Sequence, residues 1–138
     1  MGVLGLRGQI EHKARAQQLI DYSGMVFGKI SPTDIDGLIE YHGKAFIYYE
    51  FKYLGAEMKP GQRIALERAV ESHRRAGKHA IAVVVEHDVH DCDSEVPAAQ
   101  CAVREYYVGS VCGWKKPEQP ETALGLTQRF LKRVDCYS

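Results

Sequence analysis

The spacing of apolar and polar residues divides this chain into helical and strand-like stretches. From about Gly8 to Tyr22, Ile10, Ala14, Gln17 and Ile20 recur at roughly helical spacing among charges, and Ser23-Gly24 closes the predicted helix. Met25–Ile30 reads as a short strand, and Ser31-Pro32-Thr33 as a turn. Asp36–Tyr41 and Ala45–Tyr53 read as two strands joined by His42-Gly43-Lys44, a hairpin with glycine in its loop. Leu54–Lys59 is a connection. Pro60-Gly61 then opens a helix from about Gln62 to Ala76, with Ile64, Leu66, Ala69, Val70 and His73 near one side and Gly77 as its stop. Ala80–Glu86 is a nearly continuous apolar run, the mark of a central strand covered on both faces. His87–Ala99 reads as a polar loop, Cys101–Val108 as a weaker strand at an edge, and Val111–Pro120 as irregular. Thr122–Val134 is a last helix with Leu124, Leu126, Phe130, Leu131 and Val134 as its apolar stripe.

The order α-β-β-β-α-β-β-α predicts an α/β fold: a mixed, mostly antiparallel central sheet flanked by helices. With 138 residues, the chain reads as a single domain over 1–138, long enough for a real core. No apolar stretch is long enough to span a bilayer, and the N-terminal MGVLGLRGQIEHKARAQ turns polar too early for a secretory signal. The 4 cysteines (Cys92, Cys101, Cys112, Cys136) are widely spaced without a C-x-x-C pair, which fits a reduced, cytoplasmic chain better than a disulfide scaffold. The formal net charge is zero, so any contact with nucleic acid must come from a local patch.

The chemistry concentrates in Phe46–Lys52, FIYYEFK. Side chains alternate along a strand, so Glu50 and Lys52 point to one side of an otherwise apolar segment. Burying charge is costly unless it is paired or binds a metal. The hairpin brings Asp36, at the start of the preceding strand, toward Glu50, and Asp34 lies two residues before it. Glu11 lies on the predicted N-terminal helix, and Gln62 begins the helix after the strand. Converging carboxylates repel one another unless a cation joins them, and oxygen ligands of this kind suit Mg²⁺ or Mn²⁺. An isolated E-x-K is also common as a surface ion pair, worth about 0.2–1 kcal/mol. Beside a bound cation, Lys52 would act as a water-orienting, electrostatic group.

The pattern Asp36…Glu50-Phe51-Lys52, with Glu11 upstream and Gln62 downstream, resembles the PD-(D/E)XK nuclease superfamily. Its spacing is most similar to the small Holliday-junction resolvases of archaea and to phage-type nucleases. Thr33-Asp34-Ile35-Asp36-Gly37 is also similar to the T-D-x-x-G phrase of the bacterial RecU resolvases. The resemblance covers roughly Glu11 to Glu86. It implies a restriction-endonuclease-like domain that cleaves DNA phosphodiester bonds with Mg²⁺ or Mn²⁺, on branched or junction DNA, as a homodimer. It places the metal on Asp36 and Glu50, with the Phe51 carbonyl as a further ligand, Glu11 as the helical acid and Lys52 beside the attacking water. The archaeal spacing favours Asp36 as the metal ligand and the RecU-like phrase favours Asp34. A phage or prophage origin would suit the small size.

Arg63, Arg74, Arg75 and Lys78 on and after the second helix form a candidate phosphate-contacting patch near the cleft. The bland reading is a solvated face with Glu67 and Glu71 paired to Arg63 and Arg75. Trp114, beside Lys115-Lys116, is either a base-stacking residue or a local packing anchor. Two further readings compete with the enzyme. One is a catalytically inactive nucleic-acid-binding or protein-interaction module on the same fold. The other is a zinc-stabilised binding protein built on His90, Cys92, Cys101 and Cys112, although these spacings match no established zinc pattern.

Overall fold

A computed structural model describes residues 18–137 of the chain. The chain divides into two units, Met1–Pro32 and Thr33–Ser138. In the first, Phe27 and Ile30 form an isolated antiparallel bridge across a turn in which Gly28 has φ 65°. Met25–Ile30 therefore makes a single bridge in place of the expected strand. Most of the expected first helix, Glu11 included, lies outside the described residues, and residues 18–22 are not helical.

The second unit is an α/β body. Its elements in chain order are β1 (Gly37–Tyr41), β2 (Ala45–Tyr53), α1 (Pro60–Arg75), β3 (His79–His87), a short 3-10 turn (Ala98–Gln100), β4 (Ala102–Tyr107), β5 (Trp114–Lys115) and α2 (Ala123–Tyr137). The strands form one sheet in the order β1-β2-β3-β4-β5. Only β2 and β3 are parallel, and α1 is the crossover between them; the other neighbours are antiparallel. The mixed, mostly antiparallel sheet expected from the sequence is therefore present, with a helix on each face.

Alternation along the strands builds the two layers. Ile47, Tyr49, Ile81, Val83, Val85 and Val103 face α2 and pack on Ala123 and Leu126. Ala80, Ala82, Val84 and Tyr107 face the other way and pack on Leu66 and Val70 of α1. The hairpin between β1 and β2 turns through His42 and Gly43, both at positive φ (52° and 66°), and closes with a 2.8 Å bond from the Lys44 N–H to the Tyr41 carbonyl. Pro60 occupies the first turn of α1, where no backbone N–H is needed. At the start of α2, the Thr122 hydroxyl accepts the Gly125 N–H at 3.1 Å, a side-chain cap.

Two expectations are corrected. β4 is not an edge strand: β5 covers its outer side, in a segment expected to be irregular. A strand of two residues has no periodicity to read. It is held by Trp114, which packs on Tyr107 and donates Nε1–H to Glu67 at 2.6 Å. Leu124, expected in the stripe of α2, stays 48% exposed, whereas Leu126 and Val134 are buried.

Candidate functional site

Among the described residues Glu50 is the one charged side chain that is buried, at 5% exposure. The register explains its place. On β2, Phe46, Tyr48, Glu50 and Lys52 share the face toward α1, and the row changes from aromatic to charged as the strand approaches its carboxyl end. That end meets the first turn of α1. Gln62 there donates Nε2–H to Glu50 Oε2 at 3.1 Å and accepts from Lys52 Nζ, also at 3.1 Å. Lys52 Nζ lies 3.3 Å from Glu50 Oε2. Gln62 thus ties the acid to the lysine, and the positive end of the α1 dipole faces the same place.

Asp36 immediately precedes β1. Gly37 opposes Tyr49, so Asp36 sits at the level of Glu50. Its carboxylate accepts the Phe51 N–H at 2.9 Å. The N–H and C=O of a strand residue point to the same edge, so the Phe51 carbonyl also opens toward Asp36. Burial and, next, the Asp36 charge push the Glu50 carboxyl above its ordinary value, and Lys52 opposes them in part. Asp34 lines a small cavity of about 90 Å³ together with Thr33, Tyr48, Glu50 and Gln62. Of the two aspartates, Asp36 bonds the strand and acts on Glu50.

The structure therefore brings together Asp36, Glu50, Phe51, Lys52 and Gln62, with Asp34 on the adjoining cavity. Two carboxylates and a backbone carbonyl can hold one hard cation; no group of three or more His, Cys, Asp or Glu converges on a point among the described residues. His90, Cys92, Cys101 and Cys112 accordingly do not form a zinc cluster there. Cys101 is buried against the Pro97 carbonyl, whereas Cys92 and Cys112 are exposed.

The basic patch is placed differently from expectation. Arg63 is taken up by Glu105, with bonds of 2.9 and 3.3 Å, and lies over the Trp114 ring at 4.6 Å. Glu67 and Glu71 bond Trp114 and Ser110, not the arginines of their own helix. Arg74, Arg75 and Lys78 are exposed, but they lie at the far end of α1, about 18 Å from Gln62 at 1.5 Å per residue. They do not border the cleft.

One charged pair was missed. Glu86 stands beside Lys52 in the parallel register and receives Arg104, with Nε at 2.8 Å. Its signal was present: Glu86 ends an apolar strand just as Glu50 and Lys52 end theirs. No family model, curated protein or solved structure matches this chain. No described helix is long and apolar enough to cross a membrane.

Proposed function

We propose that this protein is a metal-dependent endonuclease of the PD-(D/E)XK type, hydrolysing DNA phosphodiester bonds. The observation that carries the reading is the burial of Glu50 beside Lys52, with Asp36 held against the same strand end. Two carboxylates at close quarters, one of them buried, form a costly arrangement that a divalent cation relieves. The donor set fits Mg²⁺ or Mn²⁺: carboxylates of Asp36 and Glu50 and the Phe51 carbonyl, with Asp34 as a further acid. When bound, such an ion supplies a more acidic water and counter-charge for phosphate oxygens. Lys52 places a positive charge beside the buried acid, where it orients water and offsets charge developing on the phosphate. Gln62 fixes the lysine relative to Glu50. Branched or junction DNA is the substrate class that the resemblance implies, and a homodimer would make the paired cuts such DNA requires.

One observation favours a second reading. Glu50 Oε2 is already satisfied by Lys52 and Gln62, as in a closed structural network. On that reading the fold is an inactive nucleic-acid-binding or protein-interaction module.

The test is cleavage of labelled linear duplex, single-stranded and four-way-junction DNA with Mg²⁺, Mn²⁺ or EDTA. Wild type is compared with Glu50→Ala and Lys52→Ala. Metal-dependent cutting abolished by both substitutions is expected. A folded wild type that cuts no DNA in Mn²⁺ leaves the inactive module as the function.

A further inference from the structure

We infer that Arg104 is a second phosphate-binding residue of this site, its outward guanidinium edge made to receive the oxygens of a phosphodiester. The inference rests on the reading of the site as one that holds nucleic acid, and it begins from a fault in the register of β4. Val84 opposes Glu105, but Val85 opposes Val103, so Arg104 is an extra residue in a β-bulge. Val103 and Tyr106 pack toward α2, and Tyr107 packs toward α1. Between them, Arg104 reaches Glu86 and Glu105 reaches Arg63 of α1. The bulge therefore turns two consecutive side chains to the α1 face, where regular pleating would turn one. Bulges that re-aim a side chain in this way are frequent beside active sites.

The bulge delivers Arg104 to the strand end that carries the candidate site. Glu86, its partner, is the register neighbour of Lys52. The guanidinium presents only its inner edge to Glu86: Nε at 2.8 Å and Nη2 at 2.6 Å approach the same oxygen, Oε2. Nη2 is buried, and its contact with that oxygen is an ion pair. Nη1 has no partner among the described residues, and the side chain keeps 19% of its surface accessible. An arginine has five N–H donors in a rigid fork suited to phosphate, and this one uses few of them.

Charge points the same way. The side chains at this strand end include the carboxylates of Asp36, Glu50 and Glu86. Lys52 is committed to Glu50 and Gln62, and Arg63 to Glu105. A phosphodiester approaching three acids needs more positive charge than Lys52 supplies, and Arg104, though paired with Glu86, keeps Nη1 to add it.

The test is binding of labelled duplex and four-way-junction DNA by fluorescence anisotropy in EDTA, where no cutting occurs, over a range of salt. Wild type is compared with Arg104→Ala, Glu86→Gln and the double variant. Arg104→Ala leaves Glu86 unpaired and can lose affinity through misfolding, so the double variant, which removes both charges, decides. Expected is a loss of roughly tenfold or more in the double variant, with a salt slope shallower by about one, and an affinity no weaker than wild type in Glu86→Gln, which removes one of the three acids and frees Arg104. Wild-type affinity and slope in the double variant would make Arg104 only a counter-ion for Glu86 and overturn the inference. Absence of DNA binding by wild type would overturn it together with the nucleic-acid reading of the site. Loss of binding in the double variant of a wild type that cuts no DNA would uphold Arg104 and reject the nuclease.

Discussion

Removing Lys52 and removing Glu50 have unequal consequences for stability. At the 3.3 Å separation of Lys52 Nζ and Glu50 Oε2, and an effective dielectric of about 20, their attraction is about 5 kcal/mol. Taking each ion out of water costs several kcal/mol, so the pair as a whole contributes little. Its halves differ in what they leave behind. Lys52→Met strands the Glu50 carboxylate, 5% exposed, beside the like charge of Asp36. Glu50→Gln removes the buried charge and the repulsion with Asp36, while Lys52, 17% exposed in its side chain, keeps Gln62 and reaches water. The expected losses are about 2–3 kcal/mol for Lys52→Met and under about 1 kcal/mol for Glu50→Gln. The double variant is expected to recover at least about 1 kcal/mol relative to Lys52→Met. Urea unfolding at pH 7 in EDTA, read as midpoints at constant slope, measures all three. Equal losses in the two single variants, or no recovery in the double, would refute the claim that Glu50 is a buried acid held at a cost for chemistry.

Two further outcomes follow from the packing of His73 and the turn at His42. His73 stacks on Phe46 at 3.8 Å between ring centroids and bonds the Tyr48 hydroxyl at 2.7 Å, and burial, with Lys78 second, lowers its pKa from 6.5. Between that lowered value and 6.5 the unfolded chain binds more protons, so this contribution to stability is full above 6.5 and is lost as pH falls through the window. The difference in unfolding free energy between wild type and His73→Phe should therefore shrink from pH 8 to pH 5; a constant difference in urea titrations would contradict the assignment. His42 holds φ 52° at a turn position where asparagine is at ease, so His42→Asn should stabilise by about 0.5–1 kcal/mol, measured as a rise in the urea midpoint.

What the sequence made legible was local. The aromatic and β-branched residues of β2, the glycine turn before it and the apolar run of β3 each declare themselves within a few residues. The parity of Glu50 and Lys52 follows from the two-residue strand repeat, and Gln62 from a helix start marked by Pro60. The misplaced features depend on partners far along the chain. Arg63 reads as part of a phosphate-contacting patch, or as a partner of Glu67, because Glu105, which takes it up, is 42 residues away. β4 was placed at an edge because what covers it is a strand of two residues fixed by Trp114. The bulge at Arg104 has no compositional mark; it exists only relative to β3.

The parallel pairing of β2 with β3 accounts for the site's location. On β2 the row facing α1 runs Phe46, Tyr48, Glu50, Lys52, and on β3 the paired row runs Ala80, Ala82, Val84, Glu86. Both pass from apolar to charged in the chain direction. Because the strands are parallel, the two gradients add, and the charged members meet at one end. An antiparallel partner would have carried Glu86 to the opposite end of the sheet. The crossover helix runs the other way, so its apolar residues Leu66 and Val70 cover the apolar rows while Gln62, in its first turn, comes down on the charges. Brought to the carboxyl end of parallel strands, the usual place for ligands in α/β sheets, these charges are partly desolvated by the helix that covers them. The same β-α-β connection thus builds one core layer and concentrates charge at its rim. A substitution that kept the apolar rows but reversed the order of polar residues along either strand would preserve the core and dissolve the site.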